Sequence, residues 1–147
     1  MPQTCLNDMD ARICAAARGW IGTPYHHAQS ARGLGCDCVG LLVGVYEEVT
    51  GRPAPPLPSY GPSWADGGAE TLLRGLATRL YPATGIDAGT IITFRYRRYL
   101  PARHVAIATG PDRMIHAYDK RAVAEVEISH WWRQRIALVF TLNPAAS

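Results

Sequence analysis

The chain has a single lysine, Lys120, against fourteen arginines, a skew that most simply reflects a biased genome and assigns no function. Its formal charge of +3 is modest, which allows weak attraction to acidic polymers without demanding it. No run approaches the roughly 20 apolar residues of a membrane span, so none is expected. The N-terminus, Met1-Pro2-Gln3-Thr4-Cys5-Leu6-Asn7-Asp8, has neither the basic region nor the apolar region of a secretory signal. A protein made and folded in the cytoplasm, leaving it only by another route, is therefore expected. There is no internal repeat and no low-complexity segment.

Cysteine is also sparse, at positions 5, 14, 36 and 38. A 147-residue chain can bury a core without covalent staples, and one without a signal is expected to keep free thiols. Cys14 falls on an apolar helical stripe and reads as packing. Cys5 lies too near the terminus to interpret. The length suits one domain spanning 1–147.

Met9, Ile13, Ala16, Ala17 and Trp20 form one stripe, predicting a helix over 7–20 capped by Asn7 or Asp8. Residues 26–36 are polar and Gly-rich, and read as a loop. Asp37 is a good N-cap for the next helix, whose face carries Cys38, Leu41, Leu42, Val45 and Val49, with Glu47 and Glu48 pointing largely away. Gly51 followed by Arg52-Pro53 stops it. Residues 51–68 hold five prolines with Tyr60 and Trp64, a long connection that reads equally as functional loop or stiff linker. Leu72, Leu73, Leu76 and Leu80 mark a third helix ending near Pro82. From residue 90 the period shortens to two. Strands are predicted at 91–94, 105–108, 113–116, 125–128 and 136–142. Helices followed by a meander of strands predict an α+β fold, with the helices on one side of an antiparallel sheet.

Chemistry concentrates in Asp37-Cys38-Val39-Gly40-Leu41 and two distant histidines, His104 and His116. Cys38 falls in the first turn of its helix, where unsatisfied N–H groups and the dipole favour a negative sulfur. A thiol reacts as thiolate, and such a setting lowers its pKa from about 8.5. His104 and His116 flank the turn signal Gly110-Pro111-Asp112 and are about symmetric around residue 110, so they are expected opposite or nearly opposite one another on one face. One imidazole then holds the other in the tautomer that a general base needs. The constellation requires the Cys38 helix to pack above this hairpin through the face bearing the thiol, a step periodicity does not supply.

Plainer readings stand beside each of these. A cysteine in an apolar helix is more often packing, and His116 in Ile115-His116-Ala117-Tyr118 reads equally as a satisfied strand histidine. Cys36-x-Cys38 with His26-His27 invites a zinc site, but no second cysteine pair follows and the spacing departs from structural zinc patterns. Arg95, Arg97, Arg98 and Arg103 with Tyr96 and Tyr99 form a thin nucleic-acid footprint beside a weak net charge, and read better as a solvated edge or loop.

Four stretches in order carry a family likeness: Gly22-Thr23-Pro24-Tyr25, Gly35-Cys36-Asp37-Cys38-Val39-Gly40-Leu41, His104-Val105-Ala106-Ile107 and Ile115-His116-Ala117. Over roughly residues 12 to 142 the chain resembles the NlpC family of papain-like cell-wall peptidases. Gly-Cys-Asp-Cys and the closing Trp131-Trp132-Arg133 look like the subgroup encoded by phages and gene-transfer particles. The resemblance implies a papain-like fold whose nucleophile helix packs on a central antiparallel sheet bearing the histidines. It implies Cys38 as nucleophile, His104 as base and later acid, and His116 as orienter, with no metal and no cofactor. Tyr25 would line the site near the thiol, and the Cys38 backbone N–H would face the oxyanion.

As substrate-binding residues it implies Tyr25, Asp37 and Arg103, the last at a groove edge running from Arg95. The implied substrate is a peptide bond in peptidoglycan stems, commonly between D-isoglutamate and a diamino acid such as meso-diaminopimelate. The implied partners are phage or gene-transfer-particle tail proteins, with action at the bacterial cell wall and no nucleic acid. Related Cys-His folds include amidases and acyltransferases, and a tail module with an inert thiol is the non-enzymatic alternative. Two positions depart from the pattern. Val39 stands where many members have Ser, which weakens any recognition of a free stem amine through Asp37 and that hydroxyl. Gly89-Thr90 replaces the usual Gly-Asp, a change read as structural.

Overall fold

The computed structural model describes residues 8–54 and 70–144, so the expected Asn7 cap, Cys5 and most of the proline-rich connection lie outside the described residues. The first apolar stripe folds as α1, Asp8–Arg18, burying Ile13, Cys14, Ala16 and Ala17. The stretch expected to be loop contains a small antiparallel hairpin, β1 (Ser30–Ala31) and β2 (Gly35–Cys36). Two-residue strands are too short to produce an alternation that sequence could reveal.

Helix α2 runs Cys38–Thr50 and begins where its cap predicts, with the Asp37 carboxylate accepting the Gly40 N–H. Gly51 ends it at φ 68°, the left-handed conformation a C′ residue needs and one that glycine adopts without steric cost. Its buried face includes Leu41, Leu42, Val45 and Val49, while Glu47 and Glu48 stay exposed. Two glycines set how closely it packs. A Cβ on Gly40 would sit 1.8 Å from the Gln29 carbonyl oxygen, and one on Gly44 would sit 2.0 Å from the Trp20 ring. The loop before β1 and the end of α1 thus lie directly on the α2 backbone.

Helix α3, Thr71–Ala77, is shorter than the leucine spacing predicts. Leu80 is buried beyond its end, and Tyr81–Pro82 form the edge strand β3. Glu70, at the start of α3, holds Arg95 and the Ala102 N–H through its carboxylate, tying this end to the 95–102 loop. The strands follow as β4 (Ile91–Phe94), β5 (His104–Ala108), β6 (Arg113–His116), β7 (Ala124–Glu127) and β8 (Ile136–Thr141). They form one antiparallel sheet with β3 in the order β3-β8-β4-β5-β6-β7. A one-turn helix, α4 (His130–Arg133), precedes β8 and was not expected from the sequence.

Alternation divides the apolar residues between two layers. Ile91, Val105, Ile107 and Ile115 join the helices in the larger core, and Ile92, Phe94, Ala106, Ala108 and Met114 meet Trp132 and Ile128 on the opposite face. Each fully buried Ile or Phe contributes roughly 1.5–3 kcal/mol. The Thr90 hydroxyl accepts the Asp87 N–H at 3.0 Å and closes the turn before β4, consistent with a structural reading of Gly89-Thr90.

Gly40→Ala should destabilise the fold by about 1–3 kcal/mol, because its Cβ meets rigid backbone rather than a flexible side chain. Urea unfolding checks this, and an unchanged midpoint would show that the loop can retreat from α2.

Candidate active site

Asp37 fixes the position of the thiol. Its carboxylate is buried, accepting the Gly40 N–H at 2.8 Å with one oxygen and the Ala28 N–H at 2.7 Å with the other. The second bond holds Ala28 in a left-handed conformation, φ 59°, and so shapes the loop leading to β1. His27 Nδ1 lies 3.8 Å from the same oxygen. Asp37 therefore serves chiefly as a clamp. It lines the cleft, but its two oxygens are occupied by the backbone and leave little of the carboxylate for a substrate amine.

Cys38 opens into a cleft of about 360 Å³ whose walls include Tyr25, Tyr96, Arg103, His104, Tyr118 and Lys120. Tyr25, Asp37 and Arg103, the expected substrate-binding residues, all line it. Backbone N–H groups of Val105, Val39 and Cys38 itself act on the sulfur in the direction of a lower pKa. The helix start thus exerts the expected pull, but burial and the Asp37 charge outweigh it and push the thiol up to about 12. This corrects the expectation of a thiol lowered by its helix. Removing a charge from water is the larger effect here.

The histidines sit differently from the sequence expectation. Paired residues Ile107↔Ile115 and Ala108↔Met114 centre the hairpin on residue 111. His104 and His116 are consequently diagonal neighbours on one face, two residues out of direct opposition. Diagonal placement still brings the rings together, with His104 Nε2 2.9 Å from His116 Nδ1. Their face is the one shared with Ala106, Ala108 and Met114, away from the layer of Val105 and Ile107 that packs beneath α2. The thiol and the imidazoles therefore approach from opposite layers and meet at the strand end. There β5–β6 pairing has stopped, and the Val105 N–H reaches the sulfur.

For His104 to accept a proton on Nδ1, its Nε2 must carry hydrogen and donate to His116 Nδ1, which places the single N–H of neutral His116 on Nε2. Burial lowers both imidazoles. His116 falls to about 4, and His104 is pushed well below 6.5 by burial and by His116. Both rings are thus neutral near pH 7, and a neutral imidazole is an available proton acceptor.

Sequence reasoning missed the aromatic wall behind this pair. Trp132 stacks on His104 at 5.1 Å and meets His116 edge-on at 5.3 Å. Tyr118 lies nearly parallel to His116, and Tyr96 is stacked on His104. These rings exclude water and limit rotation of both imidazoles. Trp132 comes from α4, so the only sequence signal was the Trp131-Trp132 pair itself. Cys36 is fully buried and its thiol is pushed up to about 11, and Cys14 donates weakly to the Ala108 carbonyl. Among the described residues no three His, Cys, Asp or Glu side chains converge as metal ligands.

The depressed His116 pKa makes stability depend on pH. The unfolded chain binds this proton below about 6.5, whereas the fold resists it until about 4. Stability is therefore present above pH 6.5 and lost as pH falls through that window, by on the order of 3 kcal/mol. His116→Gln should give a shallower decline of melting temperature between pH 6.5 and 4 than wild type. Equal slopes would remove His116 from the linkage.

The NlpC/P60 family model matches residues 22–140. Among solved structures, the NlpC/P60 domain of the peptidoglycan hydrolase SagA is 25% identical with TM-score 0.64, covering 90% of this chain and 97% of that one. A protein similar to lipoprotein of the NLP/P60 family, from Staphylococcus aureus, is 20% identical with TM-score 0.65 over 96% of this chain and 43% of that one. An NlpC/P60 family protein from Bacillus cereus is 19% identical with TM-score 0.66 over 97% and 42%. The chain thus spans less than half the length of these last two proteins. No match was found among curated proteins. The family match runs from the glycine before Thr23 to the last strand and takes in every cleft residue named above, and the chain belongs to the NlpC/P60 family.

Proposed function

We propose that this domain is a cysteine peptidase that hydrolyses peptide bonds in peptidoglycan stem peptides. The observation that carries the reading is one cleft shared by Cys38 and His104, with His104 Nε2 2.9 Å from His116 Nδ1. Family membership and the likeness to a peptidoglycan hydrolase domain support the substrate class.

Attack begins as the Cys38 proton passes to His104 Nδ1 and the sulfur bonds to the stem carbonyl carbon. The developing His104 imidazolium donates from its Nε2 to His116 Nδ1 and is covered by Trp132. His104 then gives the proton to the departing amine, leaving a thioester on Cys38. Water loses a proton to His104 and attacks the thioester, releasing the carboxylate product and the thiol. The oxyanion donors are the Cys38 backbone N–H and the Tyr25 hydroxyl. Burial and the nearby Cys38 and Asp37 push the Tyr25 phenol up to about 12, so it remains a donor at neutral pH.

The bond proposed is the one between D-isoglutamate and the diamino acid. Val39 is buried and apolar, and Asp37 is occupied by backbone, so no clasp for a free stem amine forms from these two residues. This favours cleavage within longer stems. The Gly-Cys-Asp-Cys variant and the Trp131-Trp132-Arg133 ending carry the further proposal that the domain works in a phage or gene-transfer-particle tail. No described helix is long and apolar enough to cross a membrane.

Mass spectrometry of purified stem peptides after incubation should show new products cut at the D-isoglutamyl bond. Cys38→Ala should abolish them with the fold intact, and His104→Ala should be nearly as severe. His116→Ala should retain partial turnover, because His116 orients the base and leaves proton transfer to His104. Cleavage persisting in Cys38→Ala would remove the thiol from the mechanism. No cleavage by wild type, with Cys38 unreactive toward iodoacetamide, would favour a structural module.

A further inference from the structure

Beside the catalytic cleft lies a second and larger one, about 840 Å³, lined by Arg95, Arg97, Arg98 and Arg135 with Tyr96 and Gln134. Among the described residues no acidic side chain lines it. Arg95 is paired with Glu70, so among the described residues the charge without an acidic partner comes from Arg97, Arg98 and Arg135. Arg97 and Arg98 are exposed. Arg135 lies with its guanidinium carbon over the Trp131 ring, 3.8 Å from the centroid, and donates through Nη1 to the Trp131 carbonyl. Its Nε is buried with no hydrogen-bond partner among the described residues. A guanidinium held this way presents its positive charge to the cleft, and little side-chain freedom is lost when a carboxylate binds.

The position of this cleft gives it a side. Tyr96 lines both clefts and is stacked on His104. His104 is the group that hands its proton to the departing amine, so the leaving half of the substrate lies on the histidine side. A chain leaving over Tyr96 enters the arginine cleft.

We propose that this cleft is the leaving-side subsite and that it reads carboxylates on the amine-bearing half of the stem. The inference rests on the peptidase reading above. Cutting between D-isoglutamate and meso-diaminopimelate leaves a half that carries the second diaminopimelate carboxylate and the C-terminal carboxylate. Both are fixed negative charges at neutral pH, and both stay intact in the reaction. Amidation of either removes the charge and half the acceptor capacity that a guanidinium fork requires.

The test compares two synthetic stems, identical except that the leaving-half carboxylates are free in one and amidated in the other. Wild type should prefer the free acid by about tenfold in kcat/KM, the scale of two exposed guanidinium–carboxylate pairs, with the difference in KM. In the double variant Arg97→Gln, Arg98→Gln that ratio should fall to about threefold, the remainder carried by Arg135, with the melting temperature confirming an intact fold. Raising ionic strength to about 0.5 M should shrink the wild-type ratio without any substitution. Equal kcat/KM for both stems in wild type, or an undiminished preference in the double variant, would overturn the subsite while leaving the peptidase in place. Cleavage of neither stem by wild type would overturn the peptidase reading itself.

Discussion

One buried carboxylate organises the cleft end of this molecule. Asp37 caps α2 through Gly40 and secures the preceding loop through Ala28, so a single side chain sets where the helix starts and how the hairpin arrives. Gly40 completes the arrangement by letting the Gln29 carbonyl lie on the helix backbone. The sulfur of Cys38 is thereby delivered to the strand end where the β5–β6 ladder opens. The same carboxylate also works against the chemistry, because its charge raises the thiol pKa.

In the proposed mechanism that opposition gives the histidine pair its role. Burial, aided by the Asp37 charge at the thiol and by His116 at His104, keeps the thiol protonated and both imidazoles neutral. Proton transfer from sulfur to His104 creates two opposite charges side by side, whose attraction in a dry site offsets much of the desolvation of each. His116 contributes a hydrogen bond that fixes the tautomer, and Trp132 and Tyr118 hold the rings in register. In the proposed mechanism catalysis depends on the placement of neutral groups that become charged together, more than on a thiol already ionised at rest.

Much of this was legible in local pattern. Asp37 as cap, Gly51 as stop, the five longer strands and the shared face of His104 and His116 all follow from short-range stereochemistry. The layer from which the imidazoles approach was not, because alternation says which residues share a face and nothing about which face α2 covers. The hairpin register shifted as well, since a turn of a few residues admits neighbouring alignments. The two-residue strands β1, β2 and β3 and the one-turn helix α4 leave no period to detect, and with α4 the Trp132 wall was lost to sequence reasoning. The arginine cleft joins residues 95–98 to 134–136, a pairing that exists only once β4 and β8 lie side by side.

The central claim is that Cys38 bonds covalently to the stem carbonyl. Acid-quenching the enzyme during turnover of a stem peptide and measuring intact and digested mass tests it most directly. The account predicts an added mass equal to the D-isoglutamyl half, located on the peptide containing Cys38 and removable by hydroxylamine. Turnover with no such adduct at any quench time, or with an adduct on another residue, would contradict it.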